Sequence, residues 1–223
     1  MDWFSGEEGN GLWDIERDAI RQALPGITAG QSLVIGPALR DRQLLMDFTF
    51  GQCWHFNPCE GSVNPWLSDD VSSLPLQDEC MDLIVLRHCM NADEKSRHLL
   101  FDACRVLSPG GHIVLSCLNS GGWAALTLRW KQQLPRLSAG WIRTASRQTG
   151  LTLEYIGSYG LGGLSSRYAS RALPPVVAPL SNLHICVLSR EHTGGEIRRL
   201  VFNLPRLGRN VAANTGVYSK TGT

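Results

Sequence analysis

The chain has 223 residues, of which 43% are hydrophobic and 18% charged, with a formal net charge of +1. This length and apolar share suit one α/β domain with a decorated C-terminus, and the balanced charge gives no global electrostatic case for nucleic acid or an anionic membrane. No run approaches the ~18 apolar residues of a membrane span. The acidic start, Met1-Asp2-Trp3-Phe4-Ser5-Gly6-Glu7-Glu8, lacks the apolar segment of a secretory leader, so a cytoplasmic location is expected.

Residues 13–24 read as an amphipathic helix, with Trp13, Ile15, Ile20, Ala23 and Leu24 on or near one face and Pro25-Gly26 ending it. Residues 31–36 form a short apolar strand, 39–48 a crossover helix, and 52–56 a weaker second strand. A loop over 57–62 leads to a poorly marked third strand over 64–70, around Trp66-Leu67. Residues 81–86 (MDLIVL) are nearly continuous in apolar character, as in a central parallel strand covered on both faces. Leu99, Leu100, Ala103, Val106 and Leu107 then recur at helical spacing. Pro109 is expected to stop that helix and Gly110-Gly111 to supply the reversal into a strand over 112–118. Helices are expected after Trp123 and over 140–149, with a break at 134–138 between them. Strands over 151–158 and 182–189 enclose a Gly/Ser/Pro-bearing insertion.

Seven cysteines occur without a single Cys-x-x-Cys spacing, which argues against a zinc ribbon or a dithiol redox pair and favours buried thiols. Cys53, His55 and Cys59 lie close together, but no fourth ligand is evident, so no metal site is expected. The tail from Glu191 carries Arg198, Arg199, Arg206, Arg209 and Lys220. It ends in Asn/Thr/Gly-rich residues with nothing to bury and is expected to be disordered past about 210. That basic tail is the one place where nucleic acid is left open as a partner. The domain is accordingly expected over 1–190, with the insertion at 159–181 and the extension at 191–223.

Three blocks carry a family resemblance: Asp70 with Leu74-Pro75-Leu76; Asp82-Leu83-Ile84-Val85-Leu86; and Arg105-Val106-Leu107-Ser108-Pro109-Gly110-Gly111. Their order and spacing resemble the class I S-adenosylmethionine-dependent methyltransferase domain, in its methyltransferase type 11 group. The resemblance implies a Rossmann-like α/β fold. Its sheet would be seven-stranded and mostly parallel, with an antiparallel C-terminal hairpin and helices on both faces. It also implies S-adenosylmethionine as cofactor and methyl transfer to a small-molecule or macromolecular acceptor, which the sequence does not identify. Most of the matched residues build the sheet.

In that family a glycine-rich turn after the first strand admits the cofactor, and here only Gly36 remains of it, followed by Pro37, Leu39 and Arg40. An acid usually ends the second strand to meet the ribose; this chain has Asn57, with Glu60 nearby. The acid that meets adenine corresponds to Asp70, followed by Val71. After the fourth strand, Arg87 and His88 line the methyl-transfer mouth. The resemblance therefore implies cofactor binding by Gly36, Pro37, Asn57, Asp70, Val71 and Arg87. His88, as a general base, and Asn119 are the catalytic candidates. Gly121-Gly122-Trp123 would shape the acceptor pocket, and Tyr155 and Tyr159 could stack on an aromatic acceptor. The alternative is a catalytically inactive member of the fold that has lost cofactor binding and serves as a partner or regulatory subunit. A nicotinamide-binding Rossmann protein is disfavoured, because no Gly-x-Gly-x-x-Gly follows the first strand.

Overall fold

A computed structural model describes residues 7–24, 27–36, 51–56, 74–122, 135–161 and 172–191. Within them lie three α-helices: α1 (Glu7–Ala23), α2 (Glu94–Val106) and α3 (Ala139–Gln148). The strands are β1 (Gln31–Ile35), β2 (Gln52–Phe56), β3 (Met81–Arg87) and β4 (Leu107–Asn119). They are followed by β5 (Arg136–Leu137), β6 (Thr152–Tyr159) and β7 (Leu183–Ser189).

The strands join in one sheet of order β2-β1-β3-β4-β7-β6, with β5 paired to the end of β4. The pairs β1·β2, β1·β3, β3·β4 and β4·β5 are parallel, whereas β4·β7 and β6·β7 are antiparallel. This is the expected seven-stranded, mostly parallel sheet with its C-terminal hairpin. The seventh strand among the described residues is β5, in a segment whose sequence reads as a break. The expected strand at 64–70 and helix at 39–48 lie outside the described residues, as do the helix after Trp123 and the tail from 192.

Alternation along the strands sends two sets of side chains to opposite faces. Val34, Leu83, Val85, Val114, Leu118, Ile185 and Val187 are buried together with Leu12, Ile15, Ala19, Ile20 and Ala23 of α1. Leu33, Ile35, Ile84, Leu86, Ile113, Leu115, Cys186 and Leu188 are buried with Leu99, Leu100, Ala103 and Val106 of α2 and Ile142 and Ala145 of α3. Both faces of β3 are covered, which is why its sequence is apolar without alternation.

Helix α2 begins at a side-chain cap: Asp93 accepts a hydrogen bond from the Ser96 backbone N–H at 2.9 Å. It ends earlier than expected. Leu107 is already extended, at φ −74 and ψ 129, two residues ahead of Pro109. A residue preceding proline is driven into the extended region, so Ser108 cannot continue the helix and the break propagates back to Leu107. Pro109 therefore lies inside an extended segment, with Gly110 at φ 80 as its single left-handed residue.

The charged residues of the last two blocks hold this scaffold together. Asp82 accepts hydrogen bonds from the backbone N–H groups of Gly30 and Gln31, at 2.9 and 3.0 Å, and so caps the start of β1. Arg105 donates to Asp102, to Asp78 and to the carbonyls of Leu76 and Leu74, at 2.9 and 3.0 Å for the carbonyls. Leu74 N–H in turn donates to Asp102. The segment 74–78 is thus clamped to α2. No helix of the described residues is long and apolar enough to cross a membrane.

Candidate functional site at the carboxyl edge of the sheet

The chain runs from β1 outward to β2 and then returns to place β3 on the other side of β1. The strand order therefore reverses between β1 and β3. At such a switch point the connections leave in opposite directions and open a crevice outside the carboxyl ends of the strands. The residues at that edge are Gly36 after β1, Phe56 at the end of β2, Arg87 and His88 at the end of β3, and Asn119 at the end of β4.

Gly36 is buried, and its N–H donates to the Phe56 carbonyl at 3.0 Å, extending the β1·β2 ladder by one step. A glycine there puts backbone without a side chain at the carboxyl end of β1, which suits close approach by a nucleoside group. Pro37, Asn57, Asp70 and Val71 lie outside the described residues, as does Glu60. The clamp on 74–78 holds the chain that follows, in sequence, four residues after Asp70.

Arg87 and His88 occur together with a residue that the sequence pattern does not single out. Glu16 of α1 is 1% exposed and accepts from Arg87 Nε at 2.9 Å and from Arg87 Nη2 at 2.7 Å. The Arg87 guanidinium also lies 4.7 Å from the centre of the Trp13 ring. His88 Nε2 stands 3.3 Å from Glu16 Oε2, and the imidazole is buried. Burial alone would raise the Glu16 carboxyl, but Arg87 and His88 outweigh it and hold it well below the ordinary carboxylate range. Glu16 was legible in one respect: it sits within the stripe formed by Leu12, Trp13, Ile20 and Ala23, where an acid is out of place unless paired.

His88 is one of only two non-glycine residues with positive φ among those described, at 45°, and its N–H donates to Ser116 O at 2.9 Å. Asn119 is buried and works as a clasp. Its Nδ2 lies 2.9 Å from Pro179 O and 3.0 Å from Ser181 O, while its Oδ1 accepts from Gly121 N–H at 3.1 Å. These bonds fasten the last part of the β6–β7 insertion, including the 3₁₀ turn Ala178–Leu180, across the end of β4. Gly122 is needed there, since a Cβ would stand 1.9 Å from Ser181 O.

Tyr155 and Tyr159 sit on the α1 face with their hydroxyls 2.6 Å apart, and Tyr159 is fully buried. Burial and the Tyr155 hydroxyl raise the Tyr159 phenol above its ordinary range. Cys53 and His55 are exposed on β2 with Sγ and Nε2 3.4 Å apart, and no group of three metal-ligating side chains occurs among the described residues. None of the six described cysteines is in a disulfide.

The fold is that of the class I S-adenosylmethionine-dependent methyltransferases. A methyltransferase-domain family profile matches residues 47–115, which run from before β2 to the middle of β4. Over 62 residues the chain is 34% identical to a malonyl-[acyl-carrier protein] O-methyltransferase of Methylococcus capsulatus, covering 28% of this chain and 22% of that protein. The chain thus matches less than a quarter of the length of this curated relative. Among solved structures, an S-adenosylmethionine-dependent methyltransferase from Archaeoglobus fulgidus superposes with a TM-score of 0.59 at 13% identity, covering 84% of this chain and 96% of that one. One from Thermotoga maritima gives 0.57 at 11% identity, covering 85% and 93%.

Proposed function

We propose that this protein is an S-adenosylmethionine-dependent methyltransferase whose cofactor lies in the crevice between the carboxyl ends of β1 and β3. The observation that carries the reading is the strand-order reversal at that point, with buried Gly36 directly after β1. The family match over 47–115, which includes β2, β3 and α2, supports the reading. Gly36 and Pro37 would pass beneath the cofactor. Asn57 would meet the ribose, and Asp70 with Val71 the adenine. Arg87 would contribute main chain at the end of β3, since its guanidinium is engaged by Glu16.

When bound, the sulfonium supplies a methyl carbon already activated toward attack. The work left to the chain is to hold an oxygen, nitrogen or carbon nucleophile in line and to take up its proton. His88 would accept that proton. Asn119 would act on the acceptor side, by keeping the 178–182 segment in place over the end of β4.

Isothermal titration of the purified chain with S-adenosylmethionine and S-adenosylhomocysteine tests this directly. The expected result is micromolar binding that weakens by about tenfold or more in Asp70→Ala, as expected for loss of a charge-assisted hydrogen bond. A well-folded protein showing no heat up to millimolar cofactor would refute it.

A further inference from the structure

We infer that helix α1 belongs to the cofactor site: Glu16, by gripping Arg87 and His88 together, sets the left-handed main-chain turn with which β3 ends at the crevice. Glu16 is thus a positioning residue that acts through the backbone. The inference rests on the reading of that crevice as the cofactor site. Helix α1 lies outside the matched residues 47–115, so the family match assigns Glu16 no role.

The turn adjoins the site by register. Ile35 pairs with Leu86 across β1 and β3, so the next residues, Gly36 and Arg87, lie one strand spacing apart, about 4.8 Å. The ladder to β4 runs on through the His88 N–H, which donates to Ser116 O at 2.9 Å, and the chain turns at that residue, with φ at 45°. It then passes to the α2 face, where Met90 is buried. The direction in which β3 leaves the crevice is therefore decided at one left-handed residue that is not glycine.

Alternation explains why that residue and Glu16 go together. Leu83 and Val85 are buried on the α1 face, which puts Arg87 there too and would send residue 88 to the opposite face if β3 ran on extended. The left-handed φ brings the His88 imidazole round to the α1 side, where Nε2 stands 3.3 Å from Glu16 Oε2. The same carboxylate accepts from Arg87 Nε and Nη2 at 2.9 and 2.7 Å. Two successive residues thus meet one acid, which extended backbone does not allow. A left-handed conformation is costly for a residue with a Cβ, and its surroundings must compensate. Here the compensation comes from α1. Trp13, one turn before Glu16, covers the Arg87 guanidinium at 4.7 Å and leaves the carboxylate little room to turn away. A buried ion pair of this kind contributes little net stability; what it supplies is one arrangement of the chain.

Two readouts on the full chain test this, one without ligand and one with it. The variant is Glu16→Leu/Arg87→Leu, which removes the grip without leaving a buried charge unpaired. In crystals grown without ligand, residue 88 should keep φ near 45° in the wild type and move to extended backbone in the variant. By isothermal titration the variant should bind S-adenosylhomocysteine at least about tenfold more weakly than the wild type, in line with the cost of a left-handed residue. Adding His88→Gly to the variant should restore affinity to within about threefold of the wild type, since glycine adopts this φ freely. Should the double leucine variant fail to fold, Glu16→Gln with and without His88→Gly takes its place in both measurements. A folded variant that keeps φ near 45°, or that binds as the wild type does, would overturn the inference. So would a loss of affinity that His88→Gly leaves unrelieved, because Glu16 would then act other than through the turn. A wild type that binds no S-adenosylhomocysteine would refute the cofactor reading instead, while the comparison of φ would still decide whether Glu16 sets the turn.

Discussion

His184, the second residue of β7, is an imidazole taken almost wholly out of water, with Nδ1 3.1 Å from Ser158 Oγ. Burial pushes it down from 6.5 to about 4, so the folded chain keeps it neutral while the unfolded chain protonates it in mild acid. Stability from this residue is therefore complete above the unfolded value and is lost as pH falls from about 6.5 toward 4, on the order of 3 kcal/mol in all. His112 has the same sign, since burial outweighs Glu154 at 3.8 Å. Urea unfolding at pH 7.5 and pH 5 should show a smaller acid-side loss in His184→Asn than in the wild type. Equal losses would contradict this. Glu16 acts in a different window. Its carboxyl is held low, so its contribution is present above the ordinary carboxyl value of 4.5 and disappears as pH drops below it. Removing only one member of the Glu16–Arg87 pair should cost about 3–5 kcal/mol, because a buried charge is left uncompensated, whereas Glu16→Leu/Arg87→Leu together should cost much less. A double-mutant cycle in urea measures both. Of these residues the family resemblance pointed to Arg87 and His88, at the end of an apolar strand. Glu16 stood out only as an acid within the apolar stripe of its helix, and its partner lies 71 residues away in sequence, beyond the reach of local pattern.

Among the elements, the segment joining β6 to β7 depends most on a single side chain. Asn119 ties its end to β4, and Gly122 gives Ser181 room to approach. Asn119→Ala should cost about 1–3 kcal/mol and leave buried carbonyls unsatisfied. Backbone amide exchange at residues 181 and 182 should then rise well beyond that of β3, where the sheet is intact. Uniform exchange across both would show that the clasp does not hold the segment. Sequence periodicity located α2 and α3 because each buries a regular face, and β3 was located by its unbroken apolar run. It misplaced the start of β4 and missed β5. The extended turn at 107–111 is set by the residue before Pro109, a neighbour effect that hydrophobic spacing does not report. Strand β5 has only two residues and exists through pairing with Leu118 and Asn119, so its local sequence carries no strand pattern.

At the scale of the whole molecule, the sheet was legible in the sequence through its apolar strands, the Leu-Pro loop and the Asp and Arg that clamp the scaffold. The chemistry was less so. Scaffold residues form legible blocks because many neighbours constrain them, whereas residues that would answer to a ligand leave no periodic pattern in the chain. Gly36 is the one glycine of the expected turn that remains, and Pro37, Leu39 and Arg40 follow it closely. The central claim is that this turn still accepts an adenosyl group at the reversal between β1 and β3. A crystal structure of the chain grown with S-adenosylhomocysteine tests it most directly. The predicted result is the adenosyl group lying over Gly36, with its ribose toward Asn57 and its adenine toward Asp70. A crevice filled by Leu39 or Arg40, with no ligand bound there, would contradict it.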